Sequence, residues 1–257
     1  MEKSFKSRLR QREVLVGPLV TLASPEIAEI MCEAGFDYLW IETEHAPTDF
    51  VQAQMMIQAA GGRCPCVVRV PENAEVWIKK ALDIGCDGIV IPQVKSGAEA
   101  REAVQCCLYP PAGRRGVGIS RAHGYGMSFQ DYVEAANDQL AIILQVEHVD
   151  GVRNIRSIAN TPGIDAILIG PYDLSGSLGL LGQVSHPRVE EAIQEIKQHC
   201  EEAQVPVGIF VVDAQSANRC IDDGVTLIAL GMDVLYLWKS ARQALEEVRR
   251  EKPQESG

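Results

Sequence analysis

The sequence contains no apolar run that approaches the roughly 20 residues a helix needs to cross a bilayer. We therefore expect no membrane partner. The amino-terminal segment, residues 1–13, is basic, but it contains Glu2 and Glu13 and no apolar stretch follows it, so it matches neither a secretory signal nor a transit peptide. This pattern predicts a cytoplasmic protein.

The chain has fewer basic residues than acidic ones. The chain has 24 Lys and Arg against 35 Asp and Glu, which gives a formal net charge of −11. Since proteins bind nucleic acid largely by neutralising phosphates with Lys and Arg, this acidic balance argues against a nucleic-acid partner. The hydrophobic content of 46% is that of an ordinary globular protein with a full core.

Two common cofactor motifs are missing as well. No G-x-G-x-x-G follows the first predicted strand, so the chain has no fingerprint for dinucleotide binding. None of the eight cysteines has the C-x-x-C spacing of a zinc or redox site; Cys64 and Cys66 are separated by one residue, and Cys106 and Cys107 are adjacent. We interpret most of them as small buried hydrophobic residues.

Short β-branched runs alternate with longer amphipathic stretches along the chain, which is typical of a parallel sheet covered by helices. Eight strands are predicted, at 14–22, 36–42, 66–70, 88–92, 140–147, 165–170, 205–211 and 226–231. Helical patterns occupy 25–34, 48–60, 74–84, 96–108, 128–138, 149–160, 186–203, 213–223 and 233–250.

A repeated octet accompanies every second predicted strand. Each copy begins with glycine, which suits the left-handed cap of the preceding helix, and a polar residue two positions later opens the strand. The four copies are 35–42, 85–92, 163–170 and 224–231. This repeat favours a single (β/α)8 TIM barrel over residues 1–250, with a short N-terminal helix, and we expect 251–257 to be a flexible C-terminal tail.

Enzymes with this fold carry their catalytic groups at the carboxyl ends of the strands. Those positions hold carboxylates suited to a hard cation, a histidine and a guanidinium. They are Glu42, Glu44, His45, Arg69, Gln145, Glu147 and Asp173.

Glu147 and Asp173 follow neighbouring predicted strands. An acid at the end of an apolar strand is costly unless it is paired or bound to metal, so Glu147 is either a satisfied buried carboxylate or a ligand. Asp173 is either a helix N-cap or a ligand. Together they favour two oxygen ligands for Mg²⁺ or Mn²⁺, with water or substrate completing the octahedron.

Three further residues have two interpretations each. His45 is a surface or capping residue, or a general base whose acidic neighbours hold one tautomer. Arg69 forms a structural salt bridge, or it stabilises a developing oxyanion. Lys95, just beyond the fourth strand, is a Schiff-base candidate if the chemistry needs no metal.

Several motifs occur in an order that resembles the HpcH/HpaI family of metal-dependent pyruvate aldolases. The resemblance covers nearly the whole chain. It rests on MEKSF at 1–5, GFDYLWIETEHAP at 35–47, VRV at 68–70, YPPAGRRGVG at 109–118, QVE at 145–147 and GPYDLS at 170–175.

The resemblance implies a barrel of the phosphoenolpyruvate/pyruvate-binding type in which Glu147 and Asp173 bind Mg²⁺, Mn²⁺ or Co²⁺. Arg69 would polarise the keto oxygen, and His45, supported by Asp83, would move the proton of the substrate hydroxyl. Substrate-binding residues by the same carry-over are Arg69, Gln145, Gly170, Pro171, Tyr172, Asp173 and Glu42.

The implied activity is reversible cleavage of a 4-hydroxy-2-oxo acid, of aldaric or dicarboxylic type, into pyruvate and an aldehyde through a metal-stabilised enolate. Family members form homo-oligomers, typically hexamers built as trimers of dimers. The chain departs from the common pattern in two places: Glu42-Thr43 replaces Asp-Gly, and Leu19 replaces Trp. Both are expected to touch the aldehyde pocket. A thioester lyase of the malyl or citramalyl-CoA type and a non-catalytic keto-acid-binding barrel remain alternatives.

Overall fold

The computed structural model describes residues 3–248, in which eight parallel strands close into a barrel in the order of the sequence, with the last strand paired to the first. The predicted (β/α)8 fold is thereby confirmed. The strands are β1 Leu15–Val20, β2 Leu39–Glu42, β3 Cys66–Arg69, β4 Gly88–Ile91, β5 Ala141–Val146, β6 Ala166–Ile169, β7 Val207–Val211 and β8 Leu227–Met232.

Helices alternate with the strands, and the predicted short N-terminal helix is present. They are α1 Phe5–Arg10, α2 Pro25–Glu33, α3 Phe50–Ala60, α4 Glu75–Asp83, α5 Gly97–Cys107, α6 Phe129–Gln139, α7 Val149–Arg153, α8 Ile155–Ala159, α9 Pro171–Ser177, α10 Pro187–Glu202, α11 Ala214–Asp222 and α12 Asp233–Glu247. The helix predicted at 149–160 is two short helices, because Asn154 leaves helical geometry between them and its amide caps the carbonyl of Asp150. The predicted tail, 251–257, lies outside the described residues.

The repeated octet has a structural reason. Its glycines all have a positive φ, between +81° and +94°, which favours glycine because it has no Cβ. The acid two positions later accepts a backbone hydrogen bond from the preceding strand in three of the copies: Asp37 from Val16, Asp87 from Cys66 and Asp165 from Ile142. Each octet therefore ends a helix, and in three of the four its acid also ties the start of the next strand to the strand before it.

Helix α1 closes the amino end of the barrel. Phe5 packs on Tyr38 inside it, with the ring centroids 5.4 Å apart, and Leu9 is fully buried. Lys6 is also buried; its ammonium donates to the carbonyl of Leu140 and lies 3.4 Å from the carboxylate of Asp165. The carboxyl ends of the strands are left to form the site.

The last helix contrasts with the others. Asp233 is the one buried residue of α12, and its apolar residues Leu237, Trp238 and Leu245 are each more than half exposed. None of the helices in residues 3–248 combines the length and the apolar character that a membrane crossing requires.

Candidate active site

The predicted site residues meet at the carboxyl end of the barrel. Glu42 ends β2 and faces Arg69, the last residue of β3, in the strand register. Gln145 lies near the end of β5 and Glu147 follows it. Gly170 follows β6 and caps α9, whose first turn contains Asp173. The N-cap is Gly170, so the alternative of Asp173 as N-cap is wrong.

Arg69 is the centre of this group and is 7% exposed. Its Nη2 lies 2.5 Å from Glu42 Oε2, and its Nε lies 3.2 Å from Glu44 Oε2. Nη1 donates to Gln145 Oε1 at 3.2 Å, and the guanidinium carbon lies 5.1 Å from the ring centroid of Trp40. Two carboxylates, an amide and an indole thus fix the guanidinium in place.

Glu42 also shapes the loop that carries the histidine. Its Oε1 accepts the backbone N–H of Glu44 at 2.6 Å and that of His45 at 3.0 Å. The hydroxyl of Thr43 donates to the carbonyl of Arg69 at 2.5 Å, a bond that glycine cannot make. The His45 side chain is exposed, with Nε2 3.7 Å from Glu44 Oε2. One carboxylate therefore joins the guanidinium to the His45 loop.

Glu147 is buried on the other side of Arg69 and is 2% exposed. Its Oε1 accepts the backbone N–H of Gln93 at 2.9 Å, and its Oε2 accepts from the side-chain amide of Gln145. A Cβ added at Gly170 would lie only 2.7 Å from Glu147 Oε2. Any side chain at position 170 would therefore collide with the Glu147 carboxylate in its observed position.

The electrostatics of this corner favour a cation. Burial raises the pKa of Glu147 to about 7, against the lowering effect of the Gln93 hydrogen bond, and the charges of Glu44 and Asp173 raise it further. Burial likewise raises the pKa of Glu44 to about 7 despite the charge of Arg69. Glu44 Oε2 is buried and accepts no hydrogen bond of good geometry, although it is ion-paired with Arg69 Nε at 3.2 Å. A cation beside these carboxylates would offset the cost of burying their negative charges, and it would reduce the repulsion between them.

The donor set fits a sparsely ligated hard cation. In the part of the chain that the structure describes, no group of three or more His, Cys, Asp and Glu side chains is arranged to hold a metal ion. The two ligands that the sequence predicts, Glu147 and Asp173, are both carboxylates, and the charge of Asp173 acts on Glu147. Mg²⁺ commonly keeps several waters and takes only one or two carboxylates, so the residues present fit such an ion.

Two cavities open at this end of the barrel and share Leu19, His45, Arg69 and Met232. The first, the small cavity, has a volume of about 150 Å³. It is lined by these four and by Trp40, Gln145, Leu168, Ile169, Gly170, Pro171, Tyr172, Asp173 and Phe210. The second, the large cavity, has a volume of about 430 Å³. It is lined by the shared four and by Thr21, Leu22, Ala23, Glu42, Ala46, Pro47 and Val234.

Two predicted residues are not brought to this site within one chain. Asp83 ends α4 at the amino side of the barrel, where its carboxylate lies 3.0 Å from Arg115 Nη2. Lys95 follows β4, but it lines neither cavity. In turn, sequence reasoning missed Trp40 and the backbone N–H of Gln93. Gln93 directly follows a predicted strand, so the strand-end rule could have found it.

Fold and site together define a TIM-barrel enzyme whose active site lies at the carboxyl end of the strands. A family model described as HpcH/HpaI aldolase/citrate lyase matches residues 16–240. The chain belongs to this family, as the sequence motifs predicted.

Similar proteins are aldolases or members of the same family. A hydroxypyruvate/pyruvate aldolase of Paraburkholderia phytofirmans is 41% identical, with 95% of this chain and 97% of that protein covered. A 5-keto-4-deoxy-D-glucarate aldolase of Enterobacter sp. is 40% identical over 95% of each chain. The crystal structure of an HpcH/HpaI aldolase/citrate lyase family protein from Burkholderia cenocepacia superposes with a TM-score of 0.92 at 39% identity, covering 95% of this chain and 98% of that one. The protein is an aldolase, a carbon–carbon lyase.

Proposed function

We propose that this aldolase is metal-dependent and reversibly cleaves a 4-hydroxy-2-oxo acid into pyruvate and an aldehyde. The observation that carries the proposal is the small cavity, with Arg69, Gln145 and Asp173 in its wall and buried Glu147 beside it. A cavity of about 150 Å³ can hold benzene, which has as many non-hydrogen atoms as pyruvate. The cavity is thus of the right size for the keto acid, and Arg69 and Gln145 in its wall offer hydrogen-bond donors to it.

A divalent ion, Mg²⁺, Mn²⁺ or Co²⁺, held by Glu147 and Asp173 would act as a Lewis acid toward the keto acid. Arg69 supplies a fixed positive charge for the oxygen that becomes negative when the enolate forms. Gln145 orients that guanidinium, and residues 170–173 border the position of the substrate carboxylate. His45, where the two cavities meet, takes the proton from the substrate hydroxyl and returns it in the reverse direction.

Exchange of the pyruvate methyl protons in D₂O, followed by NMR, tests the proposal without any aldehyde. We expect exchange with Mn²⁺ or Mg²⁺ and none after EDTA treatment, with recovery when metal is added back. Exchange that survives EDTA and stops with borohydride would move the chemistry to Lys95. No exchange despite pyruvate binding would favour the non-catalytic barrel.

The thioester lyase alternative needs a cationic site for a nucleotide. The candidate arginines are occupied elsewhere: Arg114 pairs with Glu102, Arg115 with Asp83, and Arg121 donates to the carbonyl of Ile84. Asp83 and Ile84 lie where α4 ends, at the amino side of the barrel, and Glu102 lies within α5. This placement disfavours the alternative, and protection from heat by an acyl-CoA would revive it.

We further propose that the protomer is a single domain. Six protomers would assemble into a homohexamer built from three dimers. The exposed apolar residues of α12 support association. A role for Asp83 in supporting His45 stays a prediction and would require a second subunit to bring the two together. Light scattering of the intact protein tests the assembly: a mass of six chains supports it, and a monomer contradicts it.

A further inference from the structure

The lining of the large cavity determines which aldehyde can bind next to the enolate. This inference rests on the proposed function. It shares Leu19, His45 and Arg69 with the small cavity, so a molecule in it can reach the pyruvate-derived carbon. Its volume, about 430 Å³, leaves room for more than a two-carbon fragment.

The hydrogen-bond donors of Thr21 and Leu22, in one wall, are already bound. The hydroxyl of Thr21 donates to Asp233 Oδ1 at 2.7 Å. The backbone N–H groups of Thr21 and Leu22 donate to Asp233 Oδ2 at 2.9 and 2.8 Å. Asp233 itself is 1% exposed and lies beneath the lining. This wall therefore offers a ligand apolar surface above a buried negative charge.

The charged groups of the opposite wall are also paired with one another or with the backbone. Both oxygens of Glu42 are engaged by the His45 loop and by Arg69. The positive charge of Arg69 is balanced by two carboxylates, Glu42 and Glu44. The His45 side chain is the polar group left exposed, and it stands at the junction with the small cavity.

Apolar side chains form the remaining lining, at Leu22, Ala23, Ala46, Pro47, Met232 and Val234. We infer that the large cavity accepts an aldehyde with an uncharged aliphatic tail, its carbonyl toward His45 and its tail against this lining. A carboxylate tail would lose hydration among apolar groups and near the acids Glu42 and Asp233. The acceptor predicted from the resemblance, of aldaric or dicarboxylic type, is the competing outcome.

Two acceptors of equal shape separate these outcomes. 4-Methylpentanal and succinic semialdehyde have the same arrangement of non-hydrogen atoms, and only the second carries a negative charge. With pyruvate and Mn²⁺ fixed, we expect the kcat/KM of condensation to be about tenfold or more higher for 4-methylpentanal. Equal values, or a preference for succinic semialdehyde, would overturn the inference.

Variants of the lining give an independent measurement. Val234→Arg, and separately Ala46→Lys, should move the ratio of the two kcat/KM values toward succinic semialdehyde, whereas Val234→Met should not. The ratio is internal to each variant, so a change in overall activity does not affect it. An unmoved ratio in both cationic variants would contradict the proposed position of the tail.

The methyl-proton exchange of pyruvate distinguishes the two levels of failure. Exchange with a preference for the charged aldehyde rejects the acceptor assignment alone. Absence of metal-dependent exchange in the unaltered protein rejects the proposed function, and the acceptor assignment falls with it.

Discussion

Arg69 Nη2 lies 2.5 Å from Glu42 Oε2, across the pairing of β3 with β2. Both side chains are less than 10% exposed, so neither charge is compensated by water. The second oxygen of Glu42 holds the loop that carries His45. Glu42 thus positions two groups of the proposed mechanism, and the substrate contact that the resemblance implied for it stays a prediction.

Glu42→Gln should weaken both contacts, because the neutral amide loses the charge that balances Arg69. Removing one partner of a buried ion pair costs on the order of 3 kcal/mol of the free energy of unfolding, and Glu44 should reduce this cost. Urea denaturation measures the stability. Glu42→Asp is the matched control: it keeps the charge and should retain more exchange activity than the glutamine variant. Equal activity of the two would show that charge at position 42 is unimportant.

Glu147→Gln and Asp173→Asn should each abolish metal-dependent exchange while the fold remains intact. Each variant removes one of the two proposed anionic ligands, and Mn²⁺ binding followed by electron paramagnetic resonance measures the loss directly. Circular dichroism checks the fold. Full activity in either variant would remove that residue from the metal site.

Gly170→Ala tests the close approach to Glu147. The new Cβ would lie within 3 Å of the Glu147 and Gln145 side chains, so both must move. We expect a loss of metal affinity of about 10- to 100-fold, the usual effect of disturbing groups that orient a ligand. Gly118→Ala is the control, since a Cβ there has no neighbour within 4 Å. Similar Mn²⁺ affinities for the two variants would argue against Glu147 as a ligand.

The stability of the metal-free protein should depend on pH through Glu147 and Glu44. Burial raises both pKa values to about 7 in the folded state. Between about pH 4.5 and 7 the folded protein then binds more protons than the unfolded chain, so their contribution to stability is lost as pH rises through this range.

Glu147→Gln removes one of these titrations. In EDTA, its free energy of unfolding should therefore fall less steeply between pH 5 and 8 than that of the unaltered protein. Glu191→Gln, on an exposed position of α10, should leave the slope unchanged. Parallel curves for all three proteins would show that Glu147 is not protonated in the fold.

The sequence determined the fold because its information is local and repeated. Alternating runs predicted the strands and helices, and the glycine-initiated octets marked where helices end and strands begin. Once the barrel was predicted, the strand-end rule located Glu42, Arg69, Gln145, Glu147 and Asp173 at one face. The boundaries were less accurate: β2 begins at Leu39, three residues later than predicted, because Asp37 is used to fix the turn before it.

Only the tertiary structure decided what these residues do to one another. The ion pair of Arg69 with Glu42, the packing of Gly170 on Glu147 and the placement of the Gln93 N–H depend on strand register and on loops distant in sequence. The same holds for the division of the site into two cavities and for the position of Asp83 at the opposite end. Distances, burial and raised pKa values arise from long-range packing, whereas sequence patterns report only the periodicity and turn chemistry of neighbouring residues.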